Sequence, residues 1–226
     1  MMNFKLIAAA GCFLLASQGQ AALISVSGPN SSFGDAASIV LSSTIVNAND
    51  DAAYNTAQQG FDEKQGVLLG SALNVDGGSI AAGTRVDSHM IFLNSGPENN
   101  TALLEHFNVK WTFDGDILGV MSNSNGSLEI NSTSLLGASD VLYPNSAFNA
   151  RGFESNQSPC DGSATNDCYA IFGSELTVTM RVTEPGDWIR VVTRTAEVPE
   201  PGTLGLLGLG ILGLGAAKRR KMAKNA

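Results

Sequence analysis

Asp87-Ser88-His89 puts the three residue types of a nucleophilic triad on consecutive positions, and that spacing argues against their acting together. Successive side chains of a strand point to opposite faces, so Ser88 and His89 diverge. The other histidine is His106, and neither is accompanied by a G-x-S-x-G elbow, a phosphate-binding loop or an H-E-x-x-H pair. His89 is expected to be a structural or surface residue, no catalytic residue is assigned, and the expectation is that the protein is not an enzyme. Carboxylates offer a different chemistry. Asp161 and Asp167, at the ends of a Gly/Ser/Asn-rich heptapeptide, and the pair Asp114 and Asp116 are oxygen donors of the kind a hard cation such as calcium takes, about six to eight at a time. Neither group follows a known calcium-loop pattern, and solvated turns are the plain alternative; no other cofactor is expected. Trp111, Trp188 and Tyr169 could stack on a sugar, but Trp111 and Trp188 stand in alternating segments where core packing is the commoner role.

The elements that would position these groups are strands. The middle of the chain is rich in Gly, Ser, Asn and Thr, with no long stretch of helical period. In Glu175–Val182, Leu176, Val178, Met180 and Val182 alternate with polar neighbours, and His106–Phe113 does the same, which sends one face to a core and the other to water. Further strands are expected at Ser38–Val46, Gly66–Val75, His89–Asn94, Ile117–Met121, Ser127–Ile130 and Trp188–Thr195. Asp76-Gly77-Gly78, Asp114-Gly115, Asn125-Gly126 and Glu184-Pro185-Gly186-Asp187 are turn signals between them, the last reading as a hairpin that joins the final two strands. Asn47–Asp62 reads as a short helix or an excursion, and Tyr143–Asp167 as a long loop. The fold class expected is all-β: an antiparallel β-sandwich, with the jelly roll as one form of it, flanked by an N-terminal signal helix and a short hydrophobic C-terminal helix.

Both ends speak of export. Lys5 precedes an apolar run from Leu6 to Ala16, and Gly19 and Ala21 supply the small residues of a signal-peptidase site, with cleavage between Ala21 and Ala22. A lipoprotein box ending at Cys12 is the competing reading, disfavoured by the shortness of the apolar run before it. An exported location favours a disulfide between Cys160 and Cys168, worth roughly 2 to 3 kcal/mol for so short a loop on the chain-entropy model. At the other end, Pro199-Glu200-Pro201 holds the backbone extended, as a processing enzyme needs. Leu204–Ala217 follows, about 21 Å long as a helix against a hydrocarbon core of about 30 Å. Lys218, Arg219, Arg220 and Lys221 then form a basic stop signal that stays on the cytoplasmic side.

This three-part tail, from Val198 to the end, resembles the PEP-CTERM sorting signal of Gram-negative bacteria, which the membrane protease exosortase recognises. The resemblance implies removal of the tail near Pro199-Glu200-Pro201 and release or attachment at the cell surface, in bacteria that make exopolysaccharide and biofilm. Similar tails also carry the label of an ice-binding-protein C-terminal domain, which gives no support to ice binding. The domains expected are a signal peptide over 1–21, an exported domain over 22–197 and the sorting signal over 198–226.

The exported stretch of about 176 residues is long enough for one domain with a real core. Seven of the chain's 13 basic residues fall in it, against about twenty acids, so nucleic acid is excluded as a partner for want of a basic face. The partners expected are signal peptidase, an exosortase-type protease, the inner membrane in passing, and exopolysaccharide. The function expected is a structural or adhesive one at the cell surface or in the extracellular matrix. A carbohydrate- or calcium-binding adhesive module and a secreted hydrolase are the alternatives.

Overall fold

The computed structural model of the protein describes residues 22–45, 47–48, 53–96, 102–154, 160, 166–183 and 186–196, all within one unit, Gln20–Ala196. In chain order the strands are β1 (Leu23–Ser27), β2 (Ser38–Ile39), β3 (Gln59–Asp62), β4 (Val67–Leu68), β5 (Leu73–Val75), β6 (Gly78–Ile80), β7 (Arg85–Leu93), β8 (Leu104–Phe113) and β9 (Ile117–Met121). Among the described residues one α-helix, α1 (Ser127–Leu136), separates them from β10 (Cys168–Phe172), β11 (Glu175–Val182) and β12 (Asp187–Arg194). The expected signal helix and tail helix lie outside the described residues. Among the described residues no helix is long and apolar enough to cross a membrane.

The fold of the described residues is mostly β, in several sheets with no closed barrel among them. One sheet is antiparallel throughout, in the order β1-β8-β11-β10. The second runs β2-β3-β7-β12-β9, with β4 also paired to β7, and β5 and β6 form a separate hairpin whose turn is the expected Asp76-Gly77. The largest apolar cluster takes Trp111, Leu176 and Val178 from the first sheet and Ile91, Val120, Ile189 and Val191 from the second. The far side of the second sheet is covered as well: Val86, Met121 and Val192 pack with Val75 of the hairpin and Leu136 of α1. Met90, Phe92 and Trp188 pack there with Phe61 and Val141. β12 is thus buried on both faces from Asp187 to Thr193.

Four expectations are corrected. Ser127–Ile130 is the first part of a helix, not a strand, because Asn123 Oδ1 accepts the Leu128 N–H and Asn125 Oδ1 the Ser127 N–H, satisfying donors that a helix start exposes. Glu184–Asp187 does not join a hairpin. β11 lies between β8 and β10, whereas β12 lies between β7 and β9, so the chain crosses from one sheet to the other there. The expected strand over Ser38–Val46 keeps only β2 and then a 3₁₀ turn at Ser42–Thr44. β2 also runs parallel to β3, which breaks the antiparallel rule, because the long excursion between them returns the chain in the same direction.

Candidate functional site

The alternation of β7 carries His89 toward the first sheet and Ser88 to the opposite side. His89 Nδ1 lies 2.7 Å from Asp62 Oδ1, its Nε2 lies 3.1 Å from Thr193 Oγ1, and its ring packs 4.8 Å from that of Phe113. Ser88 donates instead to Glu63 Oε2 at 2.6 Å. The triad types are therefore not assembled. His106 is buried between Gln58 and Pro29: its Nδ1 accepts the Gln58 N–H at 3.0 Å and its Nε2 donates to the Pro29 carbonyl at 2.9 Å. Trp111, Trp188 and Tyr169 are all buried, so none offers a surface for a sugar.

On the side of the second sheet that α1 covers, buried charged residues sit among the apolar ones. Arg190 makes a forked pair with Glu63 and lies 5.6 Å over the Tyr143 ring, while Nη1 donates to Ser132 Oγ at 2.7 Å. Arg151 donates to Glu129 Oε2 at 3.0 Å and stacks 4.4 Å from the Trp188 ring. Burial alone would lower the pKa of Arg190, but the charge and hydrogen bonds of Glu63, helped by Glu129, raise it, so it stays charged. Burial, with Glu63 beside it, pushes the Tyr143 hydroxyl well above its ordinary range. Local spacing does not reveal this network, because its members come from distant segments. It fixes α1 to the sheet.

A second polar group sits at the rim between the two main sheets. Glu154, Asp167 and Asp187 each place a carboxylate oxygen within 4.8 Å of the other two. Asp187 opens β12, and Gly186 before it has a φ of +81° with no room for a side chain against Asn94 and Leu93, so the entry of the strand is fixed. Asp167 precedes β10, its Oδ1 held by the Arg181 N–H at 2.6 Å. Next to it Cys168 is bonded to Cys160, as expected, with 5.1 Å between Cα atoms. Glu154 follows Phe153, which bridges to Asn123, and is exposed. Burial, then the charges of Asp167 and Glu154, push the Asp187 carboxyl well above the usual carboxylate range. Burial also raises Asp167, against the hydrogen bond from Arg181.

Of the four carboxylates singled out from sequence, Asp167 alone belongs to this group. Asp161 lies outside the described residues. Asp114 is raised by burial and hydrogen-bonded to the Ala22 carbonyl through its N–H, and Asp116 is exposed; neither joins a three-ligand cluster among the described residues. Ala22 stands just before β1. Ala21, Pro199, Glu200, Pro201 and Lys218, Arg219, Arg220 and Lys221 lie outside the described residues. Residues 197–221 match the PEP-CTERM protein-sorting motif. The chain thus carries the signal of an exosortase-sorted, exported protein associated with the cell surface. Comparison with curated proteins and with solved structures gives no match.

Proposed function

We propose that the protein is a non-enzymatic structural or adhesive component of the cell surface or extracellular matrix of a Gram-negative bacterium. It is led out by the signal over 1–21, folds as an exported domain over 22–197, and loses its tail to an exosortase-type protease at Pro199-Glu200-Pro201. The observation that carries this is the sorting motif at 197–221. The acidic exported stretch, open to cations and neutral polymers such as exopolysaccharide, is consistent with it. A core cluster drawn from both main sheets supports reading the domain as a β-sandwich. A hydrolase would have to rest on carboxylates, since both histidines are buried in structural hydrogen bonds.

Intact-mass spectrometry of the protein from producing cells and their medium tests the proposal. A species that starts at Ala22, ends between Pro199 and Gly202 and is two hydrogens lighter than the reduced chain is expected. A surface species that still carries 204–226 would overturn it.

A further inference from the structure

We propose that Glu154, Asp167 and Asp187 form a binding site for a single calcium ion at the rim between the two main sheets. The site stands whether or not the tail is processed. Three observations lead to it. The first is the spacing. Calcium holds oxygen ligands at about 2.4 Å, so ligands on opposite sides of the ion are about 4.8 Å apart. The three carboxylate oxygens lie within 4.8 Å of one another, which is a coordination shell's width.

The second is an unpartnered buried acceptor within the cluster. Asp187 is 2 % exposed and its Oδ2 has no hydrogen-bond partner, although the carboxyl group is hydrogen-bonded to Asp167 within the cluster. Two buried carboxyl groups in contact must share either a proton or a cation, and a cation between Asp187 and Asp167 also gives the unpartnered Oδ2 a counter-charge. Arg181, on the same recess, has its Nε on Glu105 at 2.7 Å and orients Asp167 through its backbone N–H.

The third is access and support. A recess of about 200 Å³, with Glu154, Arg181, Thr183 and Asp187 among its walls, opens beside the cluster. Asp187 is anchored by strand pairing and by the constrained Gly186, and Asp167 by the Cys160–Cys168 bond beside it, while exposed Glu154 lines the recess. The donor set contains oxygen only, which suits a hard ion and not zinc or copper. Calcium tolerates an irregular shell completed by water better than magnesium does, and sites of extracellular modules bind it with Kd of about 10⁻⁴ to 10⁻³ M.

The test uses the full-length, disulfide-intact chain, stripped with a chelator and titrated at pH 7 with calcium chloride in a calorimeter. Terbium luminescence excited through Trp188 serves as a second readout. One ion per chain is expected, with an affinity at least tenfold weaker in Glu154→Gln, whose exposed position leaves folding intact, and lost in Asp187→Asn. Asp116→Asn, a carboxylate outside the cluster, should bind as the parent does. No heat and no luminescence up to about ten times the weaker Kd above would overturn the proposal. So would unchanged affinity in Glu154→Gln. If Asp167 and Asp187 share a proton instead, calcium leaves the protein unaltered and Asp187→Asn is as stable as the parent, which also overturns it.

Discussion

Arg190 and Glu63 stand 127 positions apart and meet as a forked ion pair, Nε to Oε2 at 2.6 Å and Nη2 to Oε1 at 2.7 Å, with both side chains fully buried. The fork joins β12 to the segment after β3, and Arg190 also reaches Ser132 and Thr133 of α1. Replacing Arg190 by Leu leaves Glu63 buried without its partner, and such a change costs about 3 to 5 kcal/mol. Changing Glu63 to Leu as well should recover much of that loss, because no stranded charge then remains. Urea unfolding of the single and double variants reads both. If Arg190→Leu costs under about 1 kcal/mol, the pair does not hold α1 in place.

This network shows where the sequence was legible and where it was not. β11 was read to its ends because one of its faces meets water, so Leu176, Val178, Met180 and Val182 stand out against polar neighbours. β9 was likewise read to its ends. β7 and β12 are covered on both sides, so the period of two disappears, and the basic Arg190 interrupts the apolar run of β12. The strand expected at Ser127–Ile130 failed for a related reason. The buried face of α1 is Glu129, Ser132 and Leu136, which has no apolar period to read, and what makes it a buried face is the presence of Arg151 and Arg190. Asp167 was singled out for its neighbours in the loop. Its actual neighbours in space, Glu154 and Asp187, are brought to it by β10, by the Phe153 bridge and by the sheet-to-sheet crossing before β12, none of which local spacing encodes.

Gly60 sets how closely β3 approaches the first sheet. A Cβ there would stand 2.7 Å from Trp111 Cζ3 and 2.9 Å from Cη2. The indole has little freedom to retreat, since it is fully buried and its Nε1 donates to Gln58 Oε1 at 3.1 Å. Gly60→Ala is therefore an overpacking change, expected to cost about 1 to 3 kcal/mol and to alter the near-UV circular dichroism as the ring shifts. A variant with parental stability and an unaltered tryptophan signal would show that the sheets can separate there without penalty.

His106 gives the fold a dependence on mild acid whose sign follows from its bonds. Nδ1 accepts the Gln58 N–H and Nε2 donates to the Pro29 carbonyl, so the ring is the neutral Nε2–H tautomer. A second proton would put two donors face to face. Burial lowers the pKa below its ordinary value of 6.5, and the bond to Pro29 only partly offsets that. The unfolded chain therefore binds more protons below pH 6.5 than the native one. The stability from neutral His106 is complete above that pH, falls as pH drops through it, and stops falling only below the folded pKa. The steepest loss a single proton can cause is about 1.4 kcal/mol per pH unit. Asp114, Asp167 and Asp187 have raised pKa values and act in the opposite sense, so the quantity to compare is the difference between the parent and His106→Gln. Urea unfolding at pH 7.5, 6.5 and 5.5 should show the parent losing stability relative to the variant as the pH falls. Parallel profiles for the two proteins would mean that His106 titrates alike in the folded and unfolded chains.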